Sequence, residues 1–134
     1  MAGGLTISTL NDSSGVLATQ NGMNGVAKAW VQFTVVSTTP TINGSFNVSS
    51  VTYNSTGNYT LNFATAMSNA NYAVAFGTIG ITSNTDARQT TVINGTVSSS
   101  PTLKSTTQLN ILTGVTSSAI IQDAYEVDVI VCGA

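Results

Sequence analysis

The sequence contains no histidine and few charged residues, and both shortages limit the chemistry that this protein can perform. Lys, Arg, Asp and Glu make up 6% of the 134 residues, against about 25% in an ordinary soluble domain. Without histidine the chain lacks the commonest general base and the commonest metal ligand. Neither a Ser-His-Asp triad nor a Cys-His pair can form. We therefore expect a protein that is not an enzyme and that has no cofactor.

The few basic residues also argue against nucleic acid as a partner. Lys28, Arg88 and Lys104 lie far apart in the sequence, and the net charge is −2. Binding to a phosphate backbone requires clustered Lys and Arg side chains. No apolar stretch approaches the roughly 18 residues that a membrane-spanning helix needs. We expect neither nucleic-acid binding nor membrane insertion, and the single cysteine, Cys132, excludes a disulfide within the chain.

Uncharged polar residues occupy the positions that Lys and Glu usually fill. A surface rich in Thr, Ser, Asn and Gly has little charge repulsion to keep copies apart, so we expect association between subunits. The alternative is a secreted β-domain that simply has a neutral, polar surface.

Three acidic residues near the C-terminus form the densest cluster of charge. On a strand, Glu126 and Asp128 lie on one face, opposite Tyr125, Val127 and Val129. Asp123, Glu126 and Asp128 could form a weak Ca²⁺ site. The interpretation that we favour is an acidic strip that faces solvent or a subunit and could pair with Arg88 or Lys104 of the same or a neighbouring subunit; no metal site is expected.

Hydrophobic periodicity predicts an all-β protein. Seven segments show alternation or apolar runs between turn residues, and no window shows a helical period. The predicted strands are 27–36, 45–53, 58–63, 71–79, 88–97, 105–112 and 124–132. Short antiparallel strands with turns between them are typical of a β-sandwich, here a jelly-roll-like knob over residues 27–134.

Residues 1–26 show neither a helical period nor heptads, and we interpret them as an extended N-terminal arm. Leu5, Ile7 and Leu10 are spaced among polar residues. We expect these three apolar side chains to fill pockets on a partner protein, so that the arm attaches the domain.

One hairpin is predicted with particular clarity. Val51 and Tyr53 alternate with polar residues before the turn, and Tyr59, Leu61 and Phe63 do so after it. Asn54, Ser55 and Thr56, in the turn that ends at Gly57, are candidate contacts at an exposed tip. Trp30, Phe33, Tyr59 and Phe63 are predicted anchors of the core or of a subunit seam. For Trp30, stacking on a sugar ring is the alternative.

Four runs of sequence carry a resemblance to a known family: KAWVQF (28–33), FNVSSV (46–51), GNYTLNF (57–63) and AMSNANY (66–72). Their pattern resembles a module of tail-fibre and other virion proteins of tailed bacteriophages, over residues 27–76. The resemblance implies a structural protein of the virion, most simply a small homotrimeric tail fibre. Its arm would attach to other virion proteins in the tail or baseplate, and its domain would contact a host surface receptor. The alternative is a trimeric capsid decoration (cement) protein that stabilises the head.

Overall fold

Strands form nearly all the regular structure in the residues that the computed structural model describes, which are 26–80, 89–93, 104–115 and 120–133. Within those ranges there is no helix. The strands are β1 (Ala27–Val36), β2 (Thr39–Phe46), β3 (Val48–Ser55), β4 (Asn58–Phe63), β5 (Ala73–Ile79), β6 (Gln89–Ile93), β7 (Gln108–Val115), β8 (Ile120–Ile121) and β9 (Glu126–Cys132).

Two antiparallel sheets contain these strands. The first sheet has the order β2-β1-β9-β5, and the second has the order β3-β4-β7-β6, with the short β8 also paired to β7. Every pairing between named strands is antiparallel. The predicted all-β class and antiparallel sandwich are therefore confirmed.

The core lies between the two sheets. Val31 and Phe33 of β1 face it from the first sheet, and Tyr59, Leu61 and Ile111 face it from the second; all five are at most 1% exposed. The rings of Phe33 and Tyr59 meet edge to face, with centroids 5.4 Å apart, a favourable geometry for aromatic pairs. The alternation predicted for β1 and β4 accounts for this packing.

The predicted strand 45–53 was wrong, because the chain turns a corner at Asn47. Strand β2 ends before this corner and β3 begins after it. Asn47 adopts a left-handed backbone with φ of 54°, a conformation that Asn tolerates better than most residues. Its side-chain amide donates to the carbonyl oxygens of Lys28 and Thr65, both at 3.1 Å. Its side-chain oxygen accepts from the Thr65 backbone N–H at 2.7 Å. The chain passes from the first sheet to the second at this corner.

Other boundaries differ from the predictions in informative ways. Strands β1 and β4 begin and end as predicted, whereas β2 was not predicted and β7 lies at 108–115 instead of 105–112. The predicted strand 88–97 is observed as β6, and its last four residues lie outside the described ranges. Tyr125, predicted to lie within the last strand 124–132, precedes β9 and is 51% exposed. The arm residues Leu5, Ile7 and Leu10 also lie outside the described ranges.

Candidate functional site

A row of apolar side chains crosses the outer face of the first sheet. Strand register places Phe46 beside Trp30, Trp30 beside Ile130, and Ile130 beside Ala75. Phe46, Trp30 and Ile130 are 38%, 41% and 46% exposed, respectively. We call Phe46, Trp30, Ile130 and Ala75 the apolar row.

The next row along the strands is polar at its centre and has glycine at both ends. It consists of Gly44, Gln32, Asp128 and Gly77, on β2, β1, β9 and β5 in turn. Between the two rows lies an open groove of about 420 Å³. Its lining consists of Trp30, Val31, Gln32, Asp128, Val129 and Ile130. We call it the sheet-face groove.

The two glycines of this row allow the groove side chains to take their observed positions. A Cβ atom at Gly44 would lie 3.3 Å from two atoms of the six-membered ring of Trp30. A Cβ atom at Gly77 would lie 3.0 Å from Oδ2 of Asp128. Both distances are shorter than ordinary van der Waals contact between carbon or oxygen atoms, so a larger residue at either position would displace a groove side chain.

Hydrogen-bond acceptors beside the indole of Trp30 remain open. Gln32 Nε2 donates to Glu126 Oε1 at 3.3 Å, which fixes the amide at one end of the groove. Within the described residues, the Asp128 carboxylate has no hydrogen bond or ion pair, and its residue is partly buried. The groove therefore combines an aromatic surface with carboxylate and amide oxygens that are free to accept hydrogen bonds from a ligand, an arrangement suited to binding a ligand rich in hydroxyl groups.

Trp30 lies outside the core, so the prediction that it anchors the core is wrong. Phe33, Tyr59 and Phe63, the other three predicted anchors, are buried in the core at 0%, 0% and 8% exposure. The signal was present in the sequence: Val31, Phe33 and Val35 alternate inward, which places Trp30 on the opposite face. The alternative role of Trp30 in a subunit seam stays a prediction.

The hairpin turn is exposed but is not a free tip. Asn54, Ser55 and Thr56 are exposed, and Ser55 pairs with Asn58 across a two-residue loop. Asn54 Nδ2 donates to Asn58 Oδ1 at 3.1 Å and to Thr60 Oγ1 at 2.8 Å. Gly57, by contrast, is buried and adopts a left-handed backbone with φ of 64°.

Asp123 fixes this turn to the rest of the domain. Its carboxylate accepts hydrogen bonds from the Gly57 N–H at 2.6 Å, the Tyr59 hydroxyl at 2.7 Å and the Tyr53 hydroxyl at 3.3 Å. Burial, and then the hydrogen bond to Asp123, raise the pKa of Tyr59 well above its usual range. Asp123 thus supports the hairpin, a role that no sequence pattern indicated.

The basic residues in the described ranges do not pair with the acidic strip. Lys104 Nζ donates to the Tyr72 carbonyl oxygen at 2.9 Å and lies 5.2 Å from the centroid of the Tyr72 ring. Within the chain, Lys104 therefore does not pair with the strip, whereas pairing with a neighbouring subunit stays a prediction; Arg88 lies outside the described ranges. Burial raises the pKa of Tyr72 to about 12, and its hydroxyl donates to the carbonyl oxygens of Ser105 and Gln108.

Large apolar side chains gather at the end of the sandwich that contains the Gly57 turn. The Val35 N–H donates to the Tyr125 carbonyl, and the Tyr125 N–H donates to the Ile79 carbonyl, which brings the ends of β1 and β5 together. Ile121 approaches Gly57 from β8. Five side chains here are each more than half exposed: Val36, Ile79, Ile120, Ile121 and Tyr125. We call these five residues the apolar end.

The chain matches no protein-family model, no curated protein and no solved structure. In the described ranges, no group of three or more His, Cys, Asp or Glu residues could hold a metal ion. The same ranges contain no helix long and apolar enough to cross a membrane.

Proposed function

We propose that this protein is a non-enzymatic structural protein of a tailed-phage virion. In this proposal it is a small homotrimeric tail fibre, attached to the tail or baseplate by its N-terminal arm and contacting the host through its β-domain. The resemblance to phage virion proteins is the basis of the proposal. Several residues of the runs that carry the resemblance lie in the core of the sandwich. Phe33, Tyr59 and Tyr72 are examples, and each is at most 2% exposed.

The apolar end is the observation that best supports a role in assembly. Monomeric soluble proteins rarely expose large contiguous apolar patches, and such patches usually mark sites of association. At this end, Val36 is 65% exposed and Ile120 is 57% exposed. With only 6% of residues charged, little electrostatic repulsion opposes contact between copies. A closed trimer would bury this surface.

Attachment to the virion is assigned to the arm in this proposal. Leu5, Ile7 and Leu10 are the apolar side chains that would enter pockets on a tail or baseplate protein. Each would contribute up to about 1.5–3 kcal/mol if fully buried. The β-domain would then remain available to the host surface.

Immunogold electron microscopy of intact phage particles tests the proposal. Antibodies raised against the purified protein should label the tail or baseplate, and prior absorption with the same protein should abolish the label. Labelling spread over the head would instead identify a capsid decoration protein. Particles that carry no label, from a phage stock in which the protein is expressed, would refute a virion role.

A further inference from the structure

We propose that the sheet-face groove binds a neutral hexopyranose, the six-membered ring form of sugars such as glucose and galactose. In this arrangement, the indole of Trp30 packs against the C–H face of the sugar ring. Hydroxyl groups of the sugar donate hydrogen bonds to the Asp128 carboxylate and to the Gln32 side-chain oxygen. The role of such a site in host recognition rests on the proposed function, whereas the binding itself does not.

The aromatic part of the site is exposed and held in place. Trp30 is 41% exposed although it lies on a central strand of its sheet. Its six-membered ring lies against Gly44, where a Cβ atom would come within 3.3 Å of it. An indole supplies a large flat apolar surface at a small cost in side-chain entropy. The ring is thus already positioned for a flat ligand with an apolar face.

The polar part of the site consists of the Asp128 carboxylate and the Gln32 side-chain oxygen, which can accept hydrogen bonds from a ligand. Within the described ranges, Asp128 has no partner, and Gly77 leaves open the space beside its Oδ2 atom. Hydrogen bonds from a hydroxyl to a carboxylate are short and stronger than those between neutral groups. Two adjacent sugar hydroxyls can satisfy both oxygens of one carboxylate. Gln32, held by Glu126, adds another acceptor on the neighbouring strand.

The volume of the groove and the charge of its lining indicate which class of ligand it can bind. A groove of about 420 Å³ lies within the range of about 300–1,000 Å³ typical of small-molecule sites. Its lining contains Asp128 and no Lys or Arg, and Glu126 adjoins it. Like charge disfavours phosphates and acidic sugars. A neutral polyol fits the acceptors and the charge.

The Asp128 carboxylate also makes the groove a poor site for a dry contact between two copies of the chain. Burying an ionised carboxylate without a cation or hydrogen-bond donors costs several kcal/mol. The groove lining offers Asp128 no cation, so a neighbouring copy would have to bring one into the seam. The apolar end provides a separate surface for association that has no such cost. A hydroxylated ligand, by contrast, supplies the donors that Asp128 lacks.

Trp30 is the only tryptophan in the chain, so intrinsic fluorescence reports on the groove directly. The full chain is titrated with D-glucose, D-galactose, D-mannose and N-acetyl-D-glucosamine. We expect a saturable change in fluorescence with at least one of the four sugars. Asp128→Asn should weaken that binding about tenfold, which corresponds to roughly 1.4 kcal/mol.

Binding to Trp30→Ala cannot be followed by tryptophan fluorescence, so it is measured by nuclear magnetic resonance. With the sugar that binds, amide signals of β1 and β9 should shift in the wild type and remain unchanged in Trp30→Ala. Tyr125→Ala is the matched control, because Tyr125 is an exposed aromatic residue that does not line the groove. It should bind sugar like the wild type, and all variants are compared only after their circular dichroism spectra agree.

Three results would overturn the proposal. The first is the absence of a saturable response to all four sugars, and the second is unchanged affinity in Asp128→Asn. The third is a fluorescence change that follows protein concentration alone, together with loss of association in Trp30→Ala, which would make the groove a subunit seam. None of these results would alter immunogold labelling of the virion, so failure of this inference and failure of the proposed function are distinguishable.

Discussion

At the scale of single residues, Asp123 is the side chain on which the hairpin end depends most. Replacing it with alanine leaves the buried Gly57 N–H and the Tyr59 hydroxyl without the acceptor that they contact at 2.6 and 2.7 Å. An unsatisfied buried donor costs about 1–3 kcal/mol. We therefore expect Asp123→Ala to lower the free energy of unfolding by about 3 kcal/mol or more, as measured by urea denaturation.

Tyr53→Phe is the matched control for Asp123→Ala. It removes a longer hydrogen bond, 3.3 Å, from a side chain that is only partly buried. We expect a loss of less than about 1 kcal/mol, because water can replace the missing partner. Similar losses in the two variants would show that Asp123 is not a central support of this turn.

Lys28 shows what sequence alternation cannot predict about a single residue. Alternation with Ala29 and Val31 places Lys28 on the outer face, where a lysine normally reaches solvent. Instead Lys28 is 5% exposed, and its ammonium group has no hydrogen-bond partner in the described part of the chain. The pairing of β1 with β9 is irregular between Ala27 and Ala29. Such an irregularity depends on the partner strand, which local sequence does not specify.

At the scale of elements, the β3–β4 hairpin depends on the absence of a side chain at Gly57. A Cβ atom there would lie 2.6 Å from the Thr113 carbonyl oxygen and 2.7 Å from Ile121 Cγ2, and the backbone φ is positive. Both the contacts and the φ value oppose any larger residue. We expect Gly57→Ala to destabilise the domain by about 3 kcal/mol or more, seen as a large fall in the melting temperature.

Ser55→Ala tests the same turn without these constraints. Ser55 is exposed, and alanine at an exposed position usually changes stability by about 0.5 kcal/mol or less. Equal destabilisation by Gly57→Ala and Ser55→Ala would mean that the turn does not pack against β7 and β8 as described.

The elements with strong alternation were predictable, and those specified by their partners were not. Strands β1 and β4 repeat apolar residues at every second position, so their bounds and inward faces followed from the sequence alone. Strand β2 contains Pro40 and Gly44, which read locally as turn residues. It forms because β1 offers a hydrogen-bonding edge, and Pro40 is tolerated because β2 is itself the edge strand. The pairing with β1, and not the local composition, decides that β2 forms a strand.

The sheet-face groove was only partly predictable for the same reason. Stacking of a sugar on Trp30 was one alternative from the sequence, and alternation shows that Trp30 faces outward. The position of Asp128 near Trp30 required the antiparallel register of β1 and β9, in which Gln32 lies opposite Asp128. These two segments are separated by most of the chain. A single sequence contains no local signal for that register.

At the scale of the whole molecule, the domain has two distinct surfaces. The sheet-face groove contains polar groups beside an aromatic ring, whereas the apolar end contains five exposed apolar side chains, of which Ile121 lies against the buried Gly57 turn. Burying the apolar end between copies would remove hydrophobic surface from water without leaving charges unpaired. We therefore propose that the apolar end mediates association and that the groove binds the ligand.

Light scattering on the purified chain tests this assignment. We expect a mass about three times the 13.7 kDa of one chain. The double variant Val36→Glu/Ile79→Glu should fall to a single chain mass, because charges on side chains 65% and 51% exposed repel across a closed interface while leaving the core intact. Asn43→Glu, which adds charge at an exposed position on β2, should leave the trimer unchanged. A wild-type protein that stays monomeric at micromolar concentration would contradict the trimer, and a trimer that survives the double variant would place the interface elsewhere.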